Sequence, residues 1–317
     1  MIEIKDLRKS YAGQLALNGV SLSVSDGELL ILIGPSGCGK STLLKCINRM
    51  VLADSGSIMV DGRSVFDYKE EALRRGIGYC IQEVGLFPHM SVFANIATVP
   101  RLLKWPENRI SDRVDFLISI SGLPESYLDK FPSQLSGGEA QRVGVLRALA
   151  ADPPILLMDE PFGAVDPQTR ENLQKQFLSI QKELKKTVVF VTHDVEEAIF
   201  LADRIAVMEK GRLAAIGEPL ELEYSEDDFV RGFLGQEYSL RLLKRYEVDS
   251  LDLYCIDKSE LDEQAGVIDL NSETTLKDLM ARMISAKEDF VQVRQSNGKY
   301  CRLSLADIKW LMHEARR

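Results

Sequence analysis

The chain has 317 residues, 45% of them hydrophobic and 27% charged, with a net charge of −9. That length exceeds one ordinary core, so one large and one small domain are expected. The negative balance excludes a general electrostatic attraction to nucleic acid, so any phosphate binding must come from local geometry.

IEIKDLRKSY, LNGVSLSVSDG and ELLILIG read as strands set between turn residues. ELLILIG runs straight into GPSGCGKST at 34–42, and STLLKCINRM then has helical character. Strand, glycine loop and helix are the setting in which G-x-x-x-x-G-K-[ST] carries meaning. Gly34, Gly39, Lys40 and Ser41 complete that pattern, with Pro35, Ser36, Gly37, Cys38 and Thr42 filling the loop. Glycines let successive N–H groups point inward at phosphate, and the helix adds its positive end. Lys40 can reach the β- and γ-phosphates, and Ser41 can offer a hydroxyl to Mg²⁺. Cys38 needs no chemistry of its own.

Gln82 follows the strand-like GIGYCI, where an amide can contact water or metal; alone, such a residue is more often simply solvated. Residues 83–134 carry helical periodicity punctuated by prolines. With the helix that follows, they read as a helical subdomain of about 83–150 inserted into an α/β core. In LSGGEAQRV, Ser136, Gly137, Gly138 and Glu139 fit a capping box. Two glycines inside it go beyond capping, because glycine weakens a helix while bare backbone suits close approach to an anion.

ILLMDEP (155–161) and TVVFVTHD (187–194) are continuous apolar runs that read as buried parallel strands, with helical patterns between them. Asp159 sits at the carboxyl edge of its strand, where ligands gather in open α/β sheets. It can hold Mg²⁺ through water, and Glu160 can orient or activate a water for attack on a γ-phosphate. His193, again at a strand end, is by itself more often structural; beside a nucleotide it can stabilise the transition state. Asp194 with Glu197 fits a second capping box, and Asp166-Pro167 fits an N-cap followed by proline.

Residues 236–262 lack a clear period and read as a linker. The tail then runs strand (VIDL), helix (TLKDLMARMISA), strand (FVQVRQ), turn, strand (YCRLSL) and helix. Asn297-Gly298 predicts a tight hairpin turn, and Ser304 an N-cap.

No apolar run approaches the ~18 residues that span a bilayer, and MIEIKDLRKSY lacks a signal-peptide core. The five cysteines (Cys38, Cys46, Cys80, Cys255 and Cys301) show no CxxC spacing, as free thiols in a reducing compartment would. His89, His193 and His313 are too dispersed for a metal cluster. A cytoplasmic protein is expected.

Taken together, the motifs resemble the ATP-binding subunit of ABC transporters over roughly residues 1–235. GPSGCGKS looks like Walker A, ILLMDE like Walker B with its glutamate, and LSGGE like the signature, usually written LSGGQ. GAVD, ending at Asp166, looks like the D-loop; Gln82 and His193 look like the Q-loop and switch residues; Tyr11 sits where the family stacks an aromatic on adenine. The resemblance implies a P-loop NTPase cassette with an inserted helical subdomain, using ATP and Mg²⁺. It implies Glu160, His193 and Gln82 as catalytic residues, and Ser41, Gln82 and Asp159 as the metal set. Two cassettes would pair head to tail, the signature of one gripping the ATP held by the other. The implied partners are a second copy, transmembrane permease subunits and, indirectly, a substrate-binding protein, on the cytosolic face of the membrane.

IGYCIQEVGLFPHMSVFANI and VPRLLKWPEN further resemble ATPases of osmoprotectant importers, which take up quaternary amines such as glycine betaine, carnitine or choline. Residues 263–317 resemble one CBS motif, implying a small α+β regulatory or dimerisation segment. An importer of another small solute, an exporter, and a soluble ABC ATPase remain alternatives. The compact spacing from Lys40 to Ser136 and the single cassette disfavour the soluble one, and the intact Lys40, Asp159, Glu160 and His193 disfavour a purely regulatory protein.

Overall fold

A computed structural model describes residues 1–81, 85–163, 165, 167–246, 248–251, 253, 255–256, 261, 267–270, 274–286 and 289–314. Two compact units emerge, Met1–Ile216 and Gly217–Arg317.

The first unit is built on two sheets. One takes β1 (Ile2–Tyr11), β2 (Gln14–Val24), β4 (Ser55–Val60) and β5 (Arg63–Ser64), antiparallel in the order β2-β1-β4-β5. The other runs β10-β9-β3-β8-β7-β6, from β3 (Leu29–Ile33), β6 (Ile77–Cys80), β7 (Ile155–Asp159), β8 (Thr187–Val191), β9 (Arg204–Glu209) and β10 (Arg212–Gly217). Strands β9, β3, β8, β7 and β6 are parallel. β3, β7 and β8 are buried throughout, as continuous apolar runs require when both sheet faces are covered.

Alternation sorts their side chains. Leu30, Leu32, Leu157, Val189 and Val191 join the antiparallel sheet and α1 (Lys40–Ile47) in one core. Phe190 turns to the opposite face and packs with Phe162 and with Phe177 of α7 (Pro167–Leu184), ring centroids 5.8 and 6.1 Å away. The antiparallel sheet follows from pieces that looked like isolated strands. Its β1–β2 and β4–β5 pairs are local hairpins, but β1 and β4, Ile2 with Val60 for example, lie too far apart in sequence for local patterning to pair them.

α2 (Glu70–Arg75) precedes β6, and the segment between β6 and β7 is helical as expected. It holds α3 (Val92–Ile96), α4 (Thr98–Leu102), α5 (Glu107–Ser121) and α6 (Gly137–Leu149). The C-terminal end of α6 presses on β6, where a Cβ added at Gly78 would lie 2.4 Å from the Ala148 carbonyl oxygen and 2.5 Å from Leu156. α8 (Val195–Leu201) then leads from β8 towards β9.

The second unit begins with α9 (Pro219–Glu223), α10 (Asp228–Leu234) and α11 (Tyr238–Leu242). The buried Tyr238 hydroxyl donates to the Pro219 carbonyl at 2.8 Å, so these helices close on one another, and the compact boundary falls before residue 235. A four-stranded sheet follows in the order β11-β14-β13-β12, from β11 (Cys255–Ile256), β12 (Val267–Asp269), β13 (Phe290–Arg294) and β14 (Tyr300–Ser304), covered by α12 (Leu276–Ala286) and α13 (Leu305–Glu314). Gly298 takes a φ of +83° in the expected turn, and Ser304 caps α13 by accepting from the Asp307 amide at 3.2 Å. The stretch read as a linker contributes more than a tether. Leu243, Val248 and Leu253 are buried in this core, and β11 pairs with β14. Their spacing is irregular because a turn, a short 3-10 turn and a stretch without regular structure, not a long element, carry them.

Candidate active site

β3, in the middle of the sheet, delivers the glycine loop. Gly34 has a φ of +148°, and a Cβ there would lie 2.2 Å from the Met208 carbonyl oxygen. Gly39 has a φ of +109°, and its Cβ would lie 2.3 Å from the Ala16 carbonyl oxygen. Neither position admits a side chain. The Gly211 amide donates to the Cys38 carbonyl at 3.0 Å, further fixing the loop. Pro35, Ser36 and Gly37 form its exposed rim, while Cys38 and Gly39 are buried. Gly39 caps α1 without any side-chain hydrogen bond, so no side chain screens the helix N-terminus. Lys40 is buried, and its ammonium bends back to donate to the carbonyls of Gly34 at 2.7 Å and Pro35 at 3.1 Å. Thr42 is half-buried in the same first turn of α1.

The first link between strands is Ser41, whose hydroxyl donates to Asp159 Oδ1 at 2.9 Å. Asp159 is 6% exposed. Burial pushes its carboxyl above the usual range, with the neighbouring Glu160 adding to the rise, while Ser41, Lys45 and Lys40 oppose it. The donor set of one hydroxyl and one desolvated carboxylate fits a hard divalent cation that keeps most of its waters. Among the described residues no three His, Cys, Asp or Glu side chains gather as an all-protein metal cage.

The second link joins β7 to β8. Glu160 has a φ of +46°, a left-handed conformation costly for a residue that carries a Cβ. Its amide donates to the Val191 carbonyl at 2.9 Å, and its own carbonyl accepts from Gly163 at 3.1 Å. This pinned turn aims the carboxylate at His193, whose Nδ1 lies 3.3 Å from Glu160 Oε2. Tyr11 lies elsewhere, on the β1–β2 hairpin, 47% exposed. The Lys9 ammonium is 5.4 Å from its ring centroid and is bonded to Asp54 at 2.7 Å. That ammonium and Ser10 hold the Asp54 carboxyl at about 2.

The signature segment forms the expected capping box. Ser136 Oγ accepts from the Glu139 amide at 3.3 Å, and Glu139 Oε2 accepts from the Ser136 amide at 2.7 Å. Tyr127 adds its hydroxyl to Glu139 at 3.0 Å. The Ser136 amide, first, holds the Glu139 carboxyl below its usual range. Ser136 and Gly137 are exposed and Gly138 is buried. Among the described residues, no hydrogen bond or ion pair joins Ser136–Glu139 to the loop at 34–42. Gln82 and Asp166 lie outside the described residues.

The second capping box is only half formed. Asp194 caps α8, but Glu197 turns inward and accepts from Gln174 Nε2 at 2.9 Å. Burial raises its carboxyl, with Thr192 and Gln174 hydrogen bonds opposing. Sequence reasoning missed Gln174 and Arg170, which lie within the helical pattern between ILLMDEP and TVVFVTHD.

Fold and site together define a P-loop nucleotide-binding cassette with a helical insertion. The profile of the family described as ABC transporter matches residues 17–163. The choline transport ATP-binding protein OpuBA of Bacillus subtilis (strain 168) is 49% identical over 239 residues, which are 75% of this chain and 63% of that protein. The glycine betaine uptake system ATP-binding protein YehX of Escherichia coli (strain K12) is 44% identical over 303 residues, covering 95% and 96% of the two chains. A solved ATP-binding cassette, dimeric in a post-hydrolysis state with ADP and Pi, superposes with a TM-score of 0.62 at 32% identity, over 69% of this chain and 98% of that one. The chain belongs to the ATP-binding subunits of the ABC transporter family.

Proposed function

We propose that the chain hydrolyses ATP to ADP and phosphate to power import of a quaternary-amine osmoprotectant. The observation that carries the hydrolytic reading is the pair of links at one sheet edge, Ser41 to Asp159 and Glu160 to His193. The glycine loop amides and Lys40 bind the β- and γ-phosphates, exchanging the loop carbonyls that Lys40 now holds for phosphate oxygens. Tyr11 stacks on the adenine. Ser41, and Asp159 through water, would hold Mg²⁺, which when bound would supply charge neutralisation to the phosphates. Glu160 accepts a hydrogen bond from the attacking water and aligns it, and His193 donates to the γ-phosphate as charge builds on it. We assign Gln82 to sensing the metal or water, and Asp166 to the D-loop.

Ser136 to Glu139 act on the nucleotide of a second copy. The chain's own capping does not account for Gly137 and Gly138, and the related cassette is a dimer in the presence of ADP and Pi. We place this dimer on the cytosolic face of the membrane, driven against permease subunits supplied by a binding protein. No helix among the described residues is long and apolar enough to cross a membrane itself. We assign 1–235 as the functional cassette with its helical subdomain at about 83–150, and 263–317, together with the residues of 236–262 that pack into its core, as a CBS-like segment that regulates or stabilises the dimer. Equal regulation and dimerisation in a chain ending at residue 236 would reject that tail assignment. The substrate class rests on relatives named for choline and glycine betaine transport.

Glu160→Gln tests the whole reading. Its ATPase rate should fall roughly 100-fold or more while ATP binding persists, and cells relying on it should lose uptake of labelled glycine betaine, carnitine or choline. Normal turnover would reject the catalytic assignment. Lost turnover with unchanged uptake of all three compounds would reject the substrate class.

A further inference from the structure

His193 is 62% exposed, so packing alone does not hold its ring. The loop beneath it is held by polar groups that hydrolysis does not otherwise use. Asp194 Oδ1 accepts from the amides of Glu196 at 2.8 Å and Glu197 at 3.3 Å. Its other oxygen, Oδ2, lies 3.4 Å from Arg170 Nη1. The second terminal nitrogen of that guanidinium, Nη2, donates to the Val165 carbonyl at 3.0 Å. Val165 immediately precedes Asp166. One turn further along α7, on the same side as Arg170, Gln174 bonds the buried Glu197. Thr192 completes the frame, its amide donating to Leu32 of β3 at 3.1 Å and its hydroxyl accepting from the Asp194 amide at 3.0 Å.

We propose that Arg170 is a positioning residue: its guanidinium straps the Val165 carbonyl to the Asp194 cap and so fixes the His193 imidazole against Glu160. The proposal rests on the hydrolytic reading above. Arginine is suited to the task because its planar fork offers two donors in fixed directions, whereas a lysine ammonium on a flexible stem meets one partner at a time. An ion pair whose side chains are 27% and 33% exposed, at 3.4 Å, contributes little stability by itself. Its effect is geometric, because a displacement of about 1 Å at a reacting group can lower a rate roughly 100-fold.

The test uses the full-length chain with Arg170→Ala, Arg170→Lys, His193→Ala and the double variant Arg170→Ala/His193→Ala. Arg170→Ala should lower kcat roughly ten- to a hundredfold while the KM for ATP moves less than about twofold. Arg170→Lys should fail to restore it. Adding Arg170→Ala to His193→Ala should cost no further activity, because the effect passes through His193. Amide hydrogen exchange at residues 193–197 should accelerate in Arg170→Ala without nucleotide. An unchanged kcat, full rescue by lysine, or additive loss in the double variant would each overturn the proposal. If the wild-type chain does not hydrolyse ATP, the hydrolytic reading fails, and the strap is then decided by exchange alone: unchanged exchange at 193–197 overturns it.

Discussion

The two glycine-bearing helix starts of this chain, at Gly39 and at Ser136, solve different problems. At the first, the fold itself demands glycine, because Gly34 and Gly39 have positive φ and would thrust a Cβ into neighbouring carbonyls. No side chain caps that helix. At the second, Ser136 and Glu139 cap the helix reciprocally, and Gly137 and Gly138 do not have positive φ. Glycine there weakens the helix, and the capping box does not require it. The contrast teaches that a residue type unexplained by its own chain points to a neighbour, which under the function proposed above is the nucleotide of a second cassette.

Substitutions can break this comparison. Gly39→Ala should have the largest effect, destabilising the chain by on the order of 3 kcal/mol in thermal or chaotrope unfolding and abolishing nucleotide binding. A stable, ATP-binding Gly39→Ala would show that the loop relaxes freely. Gly137→Ala should do the reverse, raising stability by about 0.5 kcal/mol while cutting ATPase activity roughly tenfold at saturating MgATP. Full activity in that variant would remove the argument for a shared site. Ser136→Ala should cost about 1 kcal/mol through loss of the cap, on top of any loss of activity.

The smallest effect separates the two kinds of capping glutamate. Glu197 is buried and its folded-state carboxyl is raised, so ionising it disfavours the fold. Its contribution is most favourable below the ordinary glutamate range and is lost as pH rises through the raised folded value. Glu197→Gln should therefore melt slightly higher than wild type near pH 8, with the difference closing as pH falls below about 4. Glu139 is shifted downward by the Ser136 amide. Its contribution is present above the ordinary range and is lost as pH falls through the lowered folded value, so Glu139→Gln should show the opposite trend in the same melts.

These two glutamates also mark how far the sequence could be read. Both stand third after a cap residue, and the local pattern is the same. Glu139 returns to its cap, while Glu197 turns to Gln174, a residue 23 positions away on another helix. Local motifs such as the glycine loop, the carboxylates ending ILLM and the turn at Asn297-Gly298 were legible because each is complete within a few residues. Pairing β1 with β4, burying Leu243 and Leu253, and joining Arg170 to Asp194 depend on contacts made only after folding, and nothing in their immediate neighbours announces them.

The close contact at Gly78 has a mechanical consequence. With no side chain between β6 and the Ala148 end of α6, backbone meets backbone. The 13 residues of α6 span about 20 Å, so a rigid tilt of about 3° about that contact would carry Ser136 through about 1 Å.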